Sequence, residues 1–550
     1  MSNHSCQRAG NTAPDPILRA NSDMYEWLCS NAQRAAVEAR IDDVLDAVEK
    51  AAFLAAKFHP GRFADGRLEN VIFEIGRALP PVPPTQRFDR SQAGGKRCVL
   101  HVATDVSTIG GHTRMLAQWI AADSRSTHRV LITRQGNIPV PEWFVQRLQE
   151  SNASLELLSP GRTRIEHALQ LREHALRYAD LVVLHHACND TVPVLAFSLP
   201  GLPPVAILNH ADHVYWLGAS VADAIISLRR AGAEHSSSRR YVNRNLVLPI
   251  PVGQGQGAAQ PNERHSVPTD KLVLISVGRI EKFVPAGAYD FFAAAALLLD
   301  RLPCAELRIV GGTRAEMTGQ LPKPPHERIV FLGAVEDPLP EIRKSDIFLE
   351  SFPFGSSTSV LEAGLCAIPV VPAYAPLFPL LVANNDALLS LIPSAATEQE
   401  YVDQVIALAS DAAKRLKLGV ALRNRLLNDH TGDGWGKHLE KVYETLRVVV
   451  HAPMLLPVAR CSNQESDALL SRWQMKRSDG RSAIRSSTET ASAASYHAGV
   501  VAKYAGNYQA ARRSALALLV RRPAHLPVWR LFIAAALGRG EWLSSAPGVR

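Results

Sequence analysis

"FLESFPFGSSTSVLEAGLCAIPVV", Phe348 to Val371, sets two apolar runs around a glycine and four small hydroxylated residues. Phe348-Leu349 and Ile368–Val371 are short strand candidates. Between them, Phe-Pro-Phe-Gly leads through Ser356, Ser357, Thr358 and Ser359 into a helical stretch around Glu362. Strand, polar loop, helix, strand is the repeating unit of a parallel sheet covered by helices. Glycine and hydroxyls at a helix start also offer free donors where the helix dipole favours an anion. A plain N-cap cluster explains one or two of these hydroxyls, but not four in a row.

The same unit recurs on both sides. "KLVLISVGRI" (271–280), the helix "AYDFFAAAALLLDRL", and the strands "AELRIVGG", "ERIVFLG" and "DIFLES" place the quoted stretch in one series. An earlier series runs through "RCVLHVAT" (97–104), the helix "HTRMLAQWIAAD", and then "HRVLITRQ", "LVVLHHA", "PVAILNHAD" and "DAIISLR". The predicted fold class is α/β, with two tandem doubly wound, Rossmann-like domains and helical extensions at both ends. The expected organisation is a flexible N-terminus (1–22), a helical region (23–80) and a Pro-rich linker (81–96). A first Rossmann-like domain (97–252), a Gly/Gln/Pro-rich linker (253–270) and a second Rossmann-like domain (271–450) follow. A flexible Ser/Arg-rich segment (451–492) and a helical region (493–550) complete the chain. The last region carries Gly506, Tyr508, Ala511 and Pro523 in the places of one tetratricopeptide-type unit. A lone helical hairpin packed on the main body fits those residues equally.

With 550 residues, two or three domains are expected. At 47% hydrophobic and 20% charged, the chain is globular rather than disordered. Net charge +8, scattered along the sequence, suits an acidic ligand and gives no nucleic-acid footprint. Seven cysteines without a C-x-x-C pair read as reduced thiols, not as a disulfide or zinc framework. No signal core opens the chain and no apolar run reaches membrane length, so the expectation is a cytoplasmic protein without a transmembrane segment.

In open α/β sheets, ligands bind beyond the carboxyl ends of the strands. Gly110 and Gly111 follow the first strand and lead into a helix carrying His112 and Arg114, a loop that a ligand can approach closely. His210, Asp212 and His213 follow "PVAILN". A histidine beside a carboxylate can act as a base or orient a hydroxyl. His210 and His213 could also form a zinc pair, but no third ligand is evident. His210, His112 and Asp212 are therefore the catalytic candidates. Arg279 and Lys282 follow Gly278 at the end of the second domain's first strand and suit a diphosphate. Gly355, Ser356, Ser357, Thr358 and Ser359 would complete that diphosphate site, with Glu362 on a ribose. No D-x-D triplet occurs, so no metal or other cofactor is expected.

In this order the segments resemble the GT-B glycosyltransferases. "VGRIEK" is similar to their G-R-x-x-x-K segment with the lysine one place early, and "FGSSTSVLEAGLCAIPVV" to their nucleotide-sugar helix. The large retaining group of that fold carries two glutamates eight positions apart. Glu362 matches the second, whereas Phe354 stands at the first. "SFPFGSSTSVLE" resembles more closely the O-GlcNAc transferase group and its bacterial relative, the cytoplasmic N-glycosyltransferase. That resemblance implies an inverting, metal-independent enzyme, often flanked by helical repeats. It further implies a nucleotide-sugar, UDP-linked by preference, as co-substrate and a protein or glycan as acceptor. "NHADHVYWLG" is similar to the sugar-facing histidine segment of the fold and implies that role for His210. Two alternatives stand beside transfer. One is a nucleotide-sugar epimerase, which needs a pair of carboxylates in the cleft. The other is a non-catalytic nucleotide-sugar-binding module recruited to a protein partner through its helical ends.

Overall fold

The computed structural model describes residues 15–81, 95–108, 111–159, 161–252, 271–285, 289–318, 321, 323–335, 337–374, 386–478, 490–520 and 526–538. Asp15 opens the first helix. Its carboxylate accepts from the N–H groups of Ile17 and Leu18, and Pro16 follows at N1. α1 (Pro16–Val37), α2 (Ile41–Lys57) and α3 (Gly66–Ala78) follow in turn. Helix thus begins inside the stretch 1–22 expected to be loose, because the Asp-Pro pair caps it there; residues 1–14 lie outside the described ones.

The first sheet is parallel, with strand order β3-β2-β1-β4-β5-β6-β7. Its strands are β1 (Arg97–Ala103), β2 (Ser126–Ile132), β3 (Ser154–Leu157), β4 (Leu181–His185), β5 (Val205–Asn209), β6 (Ala224–Ser227) and β7 (Asn245–Val247). α4 (Gly111–Ala122), α5 (Glu142–Glu150), α6 (Arg164–Tyr178), α7 (Val192–Ala196) and α8 (Arg230–Arg239) lie between them. Every residue of β4, β5 and β6 is buried, as apolar runs in a two-sided parallel sheet should be. β3 and β7 were not foreseen. They are edge strands, largely or partly solvent-facing, with no strong apolar run to betray them. Parallel register places three polar side chains in the buried face. His101 bonds through Nε2 to His128 Nδ1 and through Nδ1 to His185 Nε2, each at 3.0 Å.

The second sheet is also parallel, with order β10-β9-β8-β11-β12. It comprises β8 (Leu272–Val277), β9 (Ala305–Val310), β10 (Ile329–Gly333), β11 (Ile347–Leu349) and β12 (Val370–Val371). Its helices are α9 (Phe291–Arg301), α10 (Arg314–Thr318), α11 (Leu339–Arg343), α12 (Ser357–Leu365), α13 (Asp386–Leu389), α14 (Glu398–Ala409) and α15 (Ala412–His430). The two doubly wound domains foreseen from the strand–helix alternation are therefore present.

α16 (Gly432–Arg447) then crosses back to the first sheet, although it falls within the range expected for the second domain. Its Trp435, Leu439, Val442 and Tyr443 share a core with Val99, Met115 and Trp119. Trp119 Nε1 donates to Tyr443 Oη at 3.0 Å, and that hydroxyl donates to Asp123 at 2.8 Å. Truncating either buried tryptophan should cost about 3–5 kcal/mol, so this helix ties the two domains together firmly.

Residues 448–464 continue as an extended strap. His451 Nδ1 bonds Asp223 at 2.7 Å, and the Ala459 N–H donates to Asp65 at 3.0 Å. α17 (Glu465–Ser478) follows. The segment 451–492, expected to be flexible, carries this strap and α17 as far as residue 478; residues 479–489 lie outside the described ones. α18 (Thr490–Tyr504), α19 (Tyr508–Leu519) and α20 (Leu526–Ala536) close the fold. Gly506 turns the chain at φ 79° and Asn507 caps α19. Pro523 lies outside the described residues. The two helical ends pack on each other. His497 Nε2 lies 2.8 Å from Asn21 Oδ1, and its ring meets Phe58 edge-on at 5.5 Å. Among the described residues the cysteines are free thiols. No described helix is long and apolar enough to cross a membrane.

Candidate active site in the interdomain cleft

A cleft of about 260 Å³ lies where the carboxyl end of β5 faces the loop between β11 and α12. Asn209, His210, Asp212, His213 and Arg229 line it from the first domain. Lys282, Phe354, Gly355, Ser357, Thr358 and Leu361 line it from the second, with Asp386, Asp429 and His430 at one side. Both walls are strand ends, where an open sheet leaves a crevice.

The second-domain wall is built around Gly278, which follows β8. A Cβ there would come within 2.9 Å of Ser356 Oγ, so only glycine lets the two loops meet. A short 3₁₀ turn, Ile280–Phe283, then brings Lys282 to the cleft. Lys282 Nζ donates to the Gly355 carbonyl at 2.9 Å and to Ser356 Oγ at 3.0 Å. Ser356 Oγ also shares a hydrogen bond with Ser351 Oγ at 3.2 Å. The four hydroxyls therefore divide. Ser357 and Thr358 are exposed in the cleft at the first turn of α12, whereas Ser356 and Ser359 are buried. Ser356 holds the loop from inside, so of the four hydroxyls expected at a diphosphate only Ser357 and Thr358 reach the cleft.

Arg279 is exposed just before the 3₁₀ turn and is not among the residues lining the cleft. Glu362 does not line it either. One turn into α12, it is half-buried. Burial pushes its carboxyl up to about 7; Arg114 of α4 opposes the shift and Asp337 adds to it. Its electrostatic partner is thus a cation of the first domain.

On the opposite wall, His210 directly follows β5. Its Nδ1 lies 3.3 Å from the Leu208 carbonyl; as the donor there, it leaves Nε2 as the basic nitrogen. Its ring lies tilted against that of His112, centroids 4.6 Å apart, and His112 Nε2 donates to the His185 carbonyl at 2.6 Å. The surrounding protein and His112 hold His210 below the ordinary imidazole range. The ring is nevertheless open to cleft water, so the close approach of His112 is the firmer of the two causes. His112 supports His210 from behind. Asp212 is engaged: Arg229 Nε and Nη2 both lie 2.9 Å from its Oδ2. Against burial, which raises it, Arg229 and His213 hold the Asp212 carboxyl below the usual range. The carboxylate therefore anchors Arg229. Gly111 starts α4 with open space around it, and Gly110 lies outside the described residues.

Arg229, Asn209 and Phe354 were not foreseen as lining residues. Arg229 lies two residues beyond the end of β6, so the strand-end rule applied to the other loops would have found it. Phe354 lies beneath the Lys282 ammonium at 5.4 Å, meets His213 edge-on at 5.0 Å, and stacks on Trp473 at 4.7 Å. Among the described residues, no group of three or more His, Cys, Asp or Glu side chains is placed to hold a metal.

Residues 271–411 match the family described as "Glycosyl transferases group 1". This is a glycosyltransferase of the GT-B fold. The glycosyltransferase shares its fold with the Thermobaculum terrenum O-GlcNAc transferase at TM-score 0.50 and 18% identity, over 78% of this chain and 82% of that one. A glycosyltransferase from Rickettsia africae aligns at TM-score 0.45 and 13% identity, over 64% and 98% of the two chains. Anabaena HepE, in complex with UDP and glucose, aligns at TM-score 0.43 and 14% identity, over 64% and 99%. No curated protein matches the sequence.

Proposed function

We propose that this glycosyltransferase moves a sugar from a UDP-sugar to a hydroxyl or amide of a protein or glycan, without a metal ion. The observation that carries the reading is the pairing across one cleft of Lys282, Gly355, Ser357 and Thr358 with His210. The second-domain wall offers an ammonium and the N-terminal turn of α12, which suit the charge that develops on a leaving nucleoside diphosphate. The first-domain wall offers His210 Nε2 as a base. In the step, the acceptor oxygen bonds the anomeric carbon as the bond to the diphosphate oxygen breaks. The electron pair leaves with the diphosphate, and the acceptor proton goes to His210. For an amide acceptor, His210 orients the nitrogen, which bonds the anomeric carbon, and the N–H proton goes to the departing diphosphate. Phe354 stands where the retaining group has its first glutamate, so the paired-glutamate pattern of that group is broken, which supports direct displacement with inversion. Arg229, tied to Asp212, is the second cation of the cleft and can meet either the sugar or the diphosphate.

The test is release of UDP from a panel of UDP-sugars by the full chain, with and without cell-derived protein and glycan acceptors. Release of UDP that falls on Lys282→Ala and His210→Ala supports the reading. Interconversion of one UDP-sugar into another without UDP release would favour the epimerase, and binding without any turnover would favour the sensing module.

A further inference from the structure

α17 spans the two halves of the molecule. Asp467 and Gln474 fix it to the N-terminal side. Asp467 Oδ1 meets His59 Nε2 at 2.7 Å and Arg239 Nη2 at 3.0 Å, and its Oδ2 accepts from Ser462 Oγ at 2.6 Å. Gln474 accepts from the His59 N–H at 2.5 Å and donates to the Ala56 carbonyl at 3.1 Å. His59, Asp467 and Gln474 are all buried, so breaking these contacts would strand polar groups away from water. The helix therefore belongs mechanically to α2, α8 and the first domain. Yet Trp473, on the same helix and 2% exposed, lies flat on Phe354 of the second domain, with ring planes 9° apart and centroids at 4.7 Å. His213, on the first-domain wall, meets the same phenylalanine edge-on. Phe354 is thus gripped by two side chains of the opposite body. The next residue, Gly355, receives the Lys282 ammonium and opens the turn that exposes Ser357 and Thr358.

We infer that Trp473 is a positioning residue for the nucleotide-sugar: its stack on Phe354 sets the height of the Gly355–Thr358 loop relative to His210. This rests on the donor reading of the cleft given above. Offset aromatic pairs hold a preferred geometry beyond the area they bury. Without the stack, the loop keeps its fold through Lys282 and Ser351 but loses its fixed distance from the first domain. The consequence falls on nucleotide binding before it falls on chemistry, because the loop meets the diphosphate in ground state and transition state alike.

The experiment uses full-length Trp473→Ala, Trp473→Phe, Phe354→Ala, the double Phe354→Ala/Trp473→Ala variant, and Leu470→Ala. Leu470 shares a small buried cluster with Phe63 and Trp473, so it serves as the packing control. UDP affinity is measured by calorimetry, UDP release from a UDP-sugar by kinetics, and Tm alongside. Trp473→Ala and Phe354→Ala should each raise Kd for UDP and KM about tenfold, with kcat changed less than about threefold. Trp473→Phe should remain within about twofold of the wild type, and the double variant should be no worse than either single one. Leu470→Ala should lower Tm and leave Kd unchanged. An unchanged Kd in Phe354→Ala or Trp473→Ala would overturn the inference while leaving the donor site intact. So would a Kd loss in Leu470→Ala equal to that of Trp473→Ala. Absence of UDP binding to the wild type would instead remove the donor reading, and this inference with it.

Discussion

Replacing Lys282 with alanine acts on two levels that can be separated. In the structure the ammonium makes two hydrogen bonds, 2.9 Å to the Gly355 carbonyl and 3.0 Å to Ser356 Oγ. Losing them should cost about 1–3 kcal/mol of stability, since each is charge-assisted but the site is only half-buried. In the reading proposed above, the same ammonium meets the leaving diphosphate of the bound donor. Removing one preorganised group of that kind typically costs about 2–4 kcal/mol in the transition state, or roughly 30- to 1000-fold in kcat/KM. Lys282→Ala should therefore show a modest drop in the denaturant midpoint and a far larger drop in UDP release. Its UDP affinity should become less sensitive to salt, because an ionic contact has gone. The assays are urea unfolding, calorimetric UDP binding at two ionic strengths, and UDP-release kinetics on the same preparation. A loss of stability with UDP affinity and turnover near wild type would refute the assignment, leaving Lys282 as a loop strut.

His210→Ala should lower UDP release to acceptor by about 100-fold or more, the low end of general acid–base contributions, while calorimetric UDP affinity stays near wild type because His210 belongs to the opposite wall. Turnover should survive EDTA, since Lys282 and the α12 N-terminus can neutralise the diphosphate; loss of activity restored by manganese or magnesium would contradict this. Stability should fall as the solution is acidified. Burial holds His101 and His185 well below the ordinary range, so each takes up a proton only on unfolding. Their contribution is complete above the unfolded pKa near 6.5 and is lost as pH falls through it, amounting to about 1.4 kcal/mol for each by pH 5.5. Urea midpoints between pH 8 and pH 5 check this, and a flat profile would refute it.

The parts of the fold that could be read in advance are those where burial writes itself into composition. β4, β5, β6 and β8 are mostly apolar along their length because both faces of a parallel sheet are covered. The edge strands "SLEL" and "NLV" carry no such signature. Periodicity shows that α16 has an apolar face, but not which core receives it. Trp435 and Tyr443 fall within the expected second-domain range but pack in the first domain's core. At the site, strand ends located His210, Lys282 and the α12 turn. The hydroxyl run did not reveal its own division, because helix-turn geometry sends Ser356 and Ser359 inward and Ser357 and Thr358 outward. Trp473 was invisible for a different reason: its role depends on a contact between residues far apart in the chain, and local pattern carries no trace of it.

The central claim is that the second-domain wall binds the nucleotide part of a sugar donor. Calorimetric titration of the full chain with UDP, GDP and dTDP, repeated on Ser357→Asp and His210→Ala, tests it most directly. The account predicts saturable one-to-one binding of UDP that Ser357→Asp abolishes, by placing a negative charge at the helix start where the diphosphate sits, and that His210→Ala preserves. No binding of any nucleotide, or UDP affinity lost in His210→Ala and kept in Ser357→Asp, would contradict it.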